Sequence, residues 1–240
     1  MIDNLKNSAS QLWQARRSEL TILSILIAFC VAITLFLKFA SEVTEGDTLY
    51  LDRLIIVSLR QPGDPSLPIG PPWLTTFMAD ITSLGSASVL VTVTLVVLGY
   101  LLTRRHAERA ILTFVAVSLG YALSTTLKSI FSRPRPDIVT HLVNVTSASF
   151  PSGHAMNSAV VYLTLAALLA QAERDKRARV YILACGLSLT GLVGISRVYL
   201  GVHWPTDVMA GWAVGAIWAL FCLLAAYGLR RYRSGHFVGR

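Results

Sequence analysis

The sequence predicts an all-α fold: a six-helix transmembrane bundle with short interfacial helices in its first outer loop. Three observations carry the prediction. Of 240 residues, 54% are hydrophobic and only 14% are charged, against about 45–50% apolar and about 25% charged in a soluble domain. The mean hydropathy is +0.59. Six apolar runs lie close to the roughly 20 residues that a membrane-spanning helix needs. A globular surface this poor in charge would be hard to keep in solution, which argues against an ordinary soluble enzyme. The apolar content is too high for disorder. The length fits one integral membrane domain over residues 1–240.

Taken in order, residues 1–18 are polar and mildly amphipathic and read as a tail. The run at 20–37 exceeds the h-region of a signal peptide and precedes no small-residue cleavage site, so it reads as the first span. Residues 40–83 differ from the rest. They carry Glu42, Glu45, Asp47, Asp52, Asp64 and Asp80, and a Pro/Gly-rich piece from Pro62 to Pro72. Apolar patches at 54–59 and 73–78 predict two short interfacial helices around an irregular loop, with Trp73 at the headgroup level. Five further runs follow, at about 87–102, 110–127, 152–170, 180–200 and 208–229. All contain Gly, Ala, Ser or Thr, which let helices approach closely in lipid. Cys30, Cys185 and Cys222 each lie inside an apolar run with no CxxC pattern, so they read as packing residues. No internal repeat is apparent.

Charge sets the expected topology. Lys6, Arg16 and Arg17, then Arg104, Arg105 and Arg109, then Arg174, Lys176, Arg177 and Arg179, then Arg230, Arg231, Arg233 and Arg240 make 14 cations on one side. The other side has six: Arg53, Arg60, Lys128, Arg133, Arg135 and Arg197, with Lys38 at the end of the first span. The positive-inside rule then puts both termini, including the tail at 230–240, in the cytoplasm. Residues 40–83, 128–151 and 197–207 face outward. The net charge of +8 is therefore read as topogenic, with no nucleic-acid partner implied. The outward cations run against this gradient and cluster beside two histidines. They suggest an anion site at the outer face.

Three segments supply its chemistry: Lys128 to Pro136, Pro151-Ser152-Gly153-His154, and Ser196 to Asp207. Lys128, Arg135 and Arg197 bring three cations to one membrane face; the arginine fork suits phosphate oxygens and lysine adds a compact charge. Ser152 and Gly153 open a span, and a helix amino terminus binds phosphate through its free N–H groups. His203 and Asp207 are four apart at the start of the sixth span, on one helical face. The carboxylate can hold one imidazole nitrogen and leave the other free to attack, with His154 as the partner acid. These are the parts of phosphoryl transfer through a phosphohistidine. The cations supply the charge stabilisation that a metal would otherwise give, so no metal and no cofactor are expected.

The pattern K-x6-R-P, P-S-G-H, S-R-x5-H-x3-D resembles the type 2 phosphatidic acid phosphatase superfamily, and every motif position is filled. The resemblance implies that His203 is the nucleophile, Asp207 its partner and His154 the acid. It implies that Lys128, Arg135, Ser152, Gly153 and Arg197 bind the phosphate. It further implies a multi-pass enzyme of the cell inner membrane, with its site on the outer, periplasmic side. The substrate would be a phosphorylated lipid of the undecaprenyl pyrophosphate or phosphatidylglycerophosphate type, with phosphatidic acid and diacylglycerol pyrophosphate close behind. Soluble vanadium haloperoxidases and bacterial acid phosphatases share these motifs, but the six apolar runs argue against both.

Alternatives stand beside this reading. A lipid phosphotransferase or a lipid A phosphatase would use the same site, and a phospholipid transporter would need the cations but neither histidine. The oligomeric state is open. Arg133 can join the cradle, pack within the loop or meet a headgroup. Pro134 and Pro136 shape that loop. His141 reads as a solvated loop residue, and His106 and His236 lie on the cytoplasmic side. Asn144-Val-Thr146 fits a glycosylation sequon, which matters only in a eukaryotic source.

Overall fold

The computed structural model describes residues 2–236, with side chains described for all of these but 2–22, 25, 172, 227 and 229–236. Lys6, Arg16, Arg17, Arg230, Arg231, Arg233 and His236 therefore lie outside the described side chains, and Arg240 lies outside the described residues. The chain divides into two compact units, 1–41 and 42–240.

The first unit belongs to α1 (Ile2–Glu45). Of the polar stretch at 1–18, expected to be a tail, residues 2–18 are part of this one helix, because no Gly or Pro interrupts it before Gly46. There the helix stops. Gly46 has φ +91 and the Asp47 N–H reaches back to the Glu42 carbonyl at 3.1 Å, a Schellman-type closure. The apolar span within α1 is Leu26–Glu45.

In the second unit, α2 (Leu49–Ser58) leads into β1 (Arg60–Gln61) and β2 (Asp64–Pro68). The two strands pair antiparallel. The irregular loop expected here is thus a hairpin. Pro62-Gly63 makes its turn, with Gly63 at φ +87, as a Pro-Gly pair favours. The two short helices are longer than their apolar patches: α2 starts at Leu49, and α3 runs Pro72–Ser83. Trp73 on α3 is exposed, as are Tyr50, Leu51, Leu54, Ile55 and Val57 on α2.

The long helices follow: α4 (Ala87–Thr103), α5 (Ala107–Ile130), α6 (Gly153–Ser158), a π-helical turn (Ala159–Leu163), α7 (Thr164–Ala172), α8 (Lys176–Tyr199) and α9 (Pro205–His236). Among the described residues, five helical stretches are long and apolar enough to cross a membrane. A sixth is added if α3 and α4, bent by 50° at residues 84–86, count as one. The predicted second span is α4, which meets the test only together with α3. With Leu95, Phe114, Leu187 and Phe221 exposed on four different helices, these apolar faces belong against lipid. The protein is a multi-pass membrane protein.

The centre is the α6–π–α7 span. Of its apolar window 67% is buried, against 22–33% for the spans of α5, α8 and α9. Four consecutive residues of the π turn, Ala159 to Tyr162, are buried, which only a helix surrounded on all sides allows. Small residues set its distance from α9. A Cβ on Gly211 would lie 2.8 Å from the Ser152 carbonyl oxygen and 3.0 Å from the Met156 nitrogen. Gly215, one turn on, would meet the Met156 carbonyl at 2.8 Å. Tryptophans tie the outer helices in: Trp212 Nε1 donates to the Thr190 carbonyl at 3.0 Å and Trp218 Nε1 to that of Ala116 at 2.9 Å.

A test follows from this packing. Gly211→Ala pushes a methyl into backbone that cannot yield, and should destabilise the detergent-solubilised protein by about 1–3 kcal/mol. Gly99→Ala on α4 meets nothing within 4 Å and should instead gain about 0.5–1 kcal/mol of helix propensity. Thermal unfolding of the two variants beside the parent checks both.

Candidate functional site

Antiparallel spans bring four helix ends together. Lys128 lies in the last turn of α5, His154 in the first turn of α6, Arg197 in the last turn of α8 and Asp207 in the first turn of α9. Arg135 comes from the long loop after α5. Lys128, Arg135, Arg197 and His203 all lie close enough to His154 to act on it electrostatically. The structure therefore gathers all eight expected residues at one end of the bundle.

Asp207 is fully buried and its carboxylate is saturated. One oxygen accepts Arg133 Nη1 at 2.6 Å. The other accepts the Ser149 hydroxyl and, at 2.9 Å, the Trp204 backbone N–H. The last contact is half of a capping box, in which the third helical residue reaches back to the residue before the helix. His203 is not on α9, as the four-residue spacing suggested. It sits in the turn before the helix, which starts at Pro205. Its Nδ1 lies 3.5 Å from Asp207 Oδ2 and 3.3 Å from Ser149 Oγ.

The other imidazole nitrogen, Nε2, is 3.3 Å from Arg135 Nη1. A guanidinium only donates, so Nε2 carries the lone pair and Nδ1 the proton. This is the tautomer that a nucleophilic Nε2 requires. Burial lowers the His203 pKa. The Asp207 hydrogen bond and charge oppose this, while the Arg135 and Arg197 charges add to it, and the net shift is downward. His203 is thus a neutral base at neutral pH.

The cations divide into two kinds. Arg133 bridges two carboxylates, with Nη2 donating to Asp52 Oδ2 at 2.8 Å and Nη1 to Asp207, and it lies over the Trp204 ring. It is a structural tie, and the open question of its role in the loop is answered by these bonds. Lys128, Arg135 and Arg197 pair with no carboxylate among the described residues. Lys128 Nζ donates to Ser147 Oγ at 3.2 Å and the Ala148 carbonyl at 3.1 Å. Arg135 donates to the Ser147 and Val202 carbonyls at 2.8 and 2.5 Å, and burial lowers its pKa. Arg197 is 3% exposed; Nη1 donates to Thr82 Oγ1 at 3.0 Å and Nε has no partner among the described residues. Buried charges without a counter-ion are costly. Arg197 is one such charge, and with the half-buried Lys128 and Arg135 it gathers around His154 to form a receptor for an anion.

The start of α6 completes the receptor. Ser152 is buried with its hydroxyl unpartnered among the described residues, and its N–H donates to the Asp207 carbonyl at 2.9 Å. Gly153 leaves the space that the Lys128 chain occupies, whose Cε would sit 2.8 Å from a Cβ there. Gly85, in the break between α3 and α4, leaves space for Val193, whose Cγ1 would sit 2.4 Å from a Cβ there, and lies close to His154, whose Cβ and ring would be 3.3 Å away.

Sequence reasoning missed Ser149, Thr206, Thr82 and Asp52. None belongs to a motif, and hydroxyls or a loop carboxylate give no periodic signal. His141 bonds within its own loop, Nε2 to the Pro136 carbonyl at 2.7 Å. His106 precedes α5, at the opposite end of that helix from Lys128.

A membrane bundle that gathers uncompensated cations beside two histidines, one of them protonated at Nδ1 and held by a buried carboxylate, has the make-up of a membrane phosphatase. The comparisons agree. The model of the PAP2 superfamily matches residues 109–231, and the chain belongs to this family. It is 37% identical over 172 residues to phosphatidylglycerophosphatase B of Bacillus subtilis (strain 168), covering 69% of this chain and 82% of that one. It is 32% identical over 153 residues to undecaprenyl-diphosphatase of Sulfolobus acidocaldarius, covering 62% and 68%. The crystal structure of a transmembrane PAP2-type phosphatidylglycerolphosphate phosphatase from Bacillus subtilis superimposes with a TM-score of 0.77 at 29% identity, covering 85% of this chain and 98% of that one. The protein is a lipid phosphate hydrolase.

The lowered His203 pKa has a consequence for stability. Below the ordinary histidine pKa of about 6.5 the unfolded chain takes up a proton here and the folded chain does not, so stability falls as pH falls. Unfolding of detergent-solubilised protein at about pH 7.5 and about pH 5 should show a smaller acid loss in His203→Gln than in the parent. Equal losses would contradict the shift.

Proposed function

We propose that the chain hydrolyses the terminal phosphate of a phosphatidylglycerophosphate-type or undecaprenyl pyrophosphate-type lipid through a phosphohistidine on His203, without a metal, at the outer face of a bacterial inner membrane. The observation that carries this reading is the convergence of three uncompensated cations, Lys128, Arg135 and Arg197, on the two-histidine site, all three acting on His154 and Arg135 lying at the lone pair of His203 Nε2. The relatives named above are a phosphatidylglycerophosphatase and an undecaprenyl-diphosphatase, and the charge count supports an outer position for this end of the bundle.

In the resting site Arg135 occupies Nε2, so the incoming phosphate must draw the guanidinium onto its own oxygens. Lys128, Arg197, the Ser152 hydroxyl and the α6 amino terminus take the remaining oxygens. Nε2 then attacks phosphorus, and the bond from phosphorus to the lipid oxygen breaks. His154 protonates that oxygen as it leaves. Asp207 and Ser149 hold the Nδ1 proton and offset the positive charge that develops on the ring. In the second half, His154 accepts a proton from water, the water oxygen attacks phosphorus, and the P–N bond breaks to release inorganic phosphate. Among the described residues the buried carboxylates are Asp52 and Asp207, and both are saturated by protein donors, which leaves charge neutralisation to the cations.

The lipid tail has a place to go. A cavity of about 270 Å³ lies between α4, α5 and the α6–π span, lined by Ala87, Leu90, Val91, Val117, Tyr121 and Val160. Asn157, also in its lining, is one turn below His154. The cavity is apolar and lies on the His154 side, where the leaving lipid oxygen is expected.

His203→Ala should lower phosphate release from both lipids by at least about 10⁴-fold, the scale seen on removing a nucleophile, while binding in a vesicle pull-down persists. EDTA should leave the parent rate unchanged. Retained release in His203→Ala would reject the nucleophile, and loss of activity on chelation would reject metal independence. Phosphate passing to an added acceptor lipid in place of water would make the enzyme a phosphotransferase.

A further inference from the structure

Two buried charges outside every motif come from the segment before α3. Asp52 on α2 is 1% exposed and Arg60 on β1 is 4% exposed. Each meets the end of a helix that carries a site residue, and each has the sign that this end attracts.

Asp52 meets the start of α9. Its Oδ1 accepts the Thr206 N–H at 3.0 Å and its Oδ2 the Thr206 hydroxyl at 2.6 Å. Thr206 is the second residue of α9, so its N–H has no partner within the helix, and this end of the dipole is positive. Oδ2 also holds Arg133, which holds Asp207. Ile56, one turn after Asp52, is fully buried against Ala155, Val198, Trp204 and Val208. It anchors α2 so that the carboxylate meets Thr206.

Arg60 meets the end of α8. Its Nη1 donates to the carbonyl of Tyr199, the last residue of α8, at 3.0 Å and to that of Leu59 at 3.1 Å. The last carbonyls of a helix lack intrahelical partners and form its negative end. Its Nη2 would lie 2.5 Å from a Cβ on Gly201, which has φ +75, so only glycine suits that position. Nε and Nη2 have no partner among the described residues. A buried guanidinium with idle donors is a poor device for stability alone.

Between Tyr199 and Pro205 lie five residues, and His203 is one of them. Arg197 lies two residues before this turn's first anchor and Asp207 one after the last. We propose that Asp52 and Arg60 are positioning residues, a two-sided clamp that fixes the α8–α9 turn so that His203 is held in line with the phosphate. The proposal rests on the reading of His203 as the nucleophile. A clamp of this kind acts on geometry in the transition state more than on substrate capture, and small misplacements of reacting groups cost up to about 10²-fold.

The test is steady-state kinetics on a phosphatidylglycerophosphate-type lipid in mixed micelles, normalised to folded enzyme, with His203→Ala in parallel. Asp52→Asn and Arg60→Gln should each lower kcat by about 10- to 100-fold with KM within about threefold of the parent. Arg60→Lys, whose ammonium can serve the same two carbonyls, should recover most of kcat. If His203→Ala is inactive and both variants keep kcat within about twofold of the parent, the clamp is wrong and the nucleophile stands. Activity in His203→Ala overturns both. Should Asp52→Asn fail to fold, Asp52→Glu decides: its carboxylate, one methylene out of place, should still lower kcat, and a parental kcat overturns the proposal.

Discussion

The buried carboxylate of Asp207 is the constraint on which the site depends. Its oxygens accept bonds from the Trp204 backbone, Ser149 and Arg133, and its own carbonyl accepts the Ser152 N–H. These few bonds join the start of α9, the long loop after α5 and the start of α6. They also leave one direction for the His203 Nδ1 proton, which frees Nε2. A carboxylate buried in a membrane protein is tolerable only when so fully bonded, so the stability of this corner and the tautomer of the histidine share one cause.

Close helix packing makes that corner possible. In lipid no hydrophobic force draws helices together, and small residues at the contacts do it through van der Waals packing. Gly211 and Gly215 let α9 lie directly on α6. The central α6–π span then carries Ser152, Gly153 and His154 to the same level as Asp207. The cations arrive from helix ends and a loop, where long polar side chains can reach an anion without crossing the apolar layer. The apolar cavity between α4, α5 and the α6–π span suits a substrate with one charged end and one greasy one.

The segment from α2 to α3 joins the rest by buried charge. From sequence it read as an acidic, Pro-rich outer segment of two short interfacial helices around an irregular loop. Folded, it contains a hairpin and sends Asp52 and Arg60 inward, while Tyr50, Leu54 and Trp73 remain exposed. An exposed acid and a buried one look alike in a sequence: Asp52 and Asp47 are both carboxylates in a loop-like stretch, and only the partner across the fold, Thr206, tells them apart.

The sequence by itself determined the lipid-facing helices and the core of the site. Apolar runs of spanning length are a local property, and Lys128, Arg135, Ser152, Gly153, His154, Arg197, His203 and Asp207 fall in short motifs whose spacing is readable in one dimension. Helix limits were less legible, because α1 and α3 extend through polar residues that nothing in the chain breaks. What only the tertiary structure decided is which groups stand behind the motifs. Ser149, Arg133, Asp52 and Arg60 reach the site through a few hydrogen bonds to residues up to 154 positions away. No periodicity records such a bond, since it depends on where two helix ends come to rest and on which buried donor or acceptor would otherwise go without a partner.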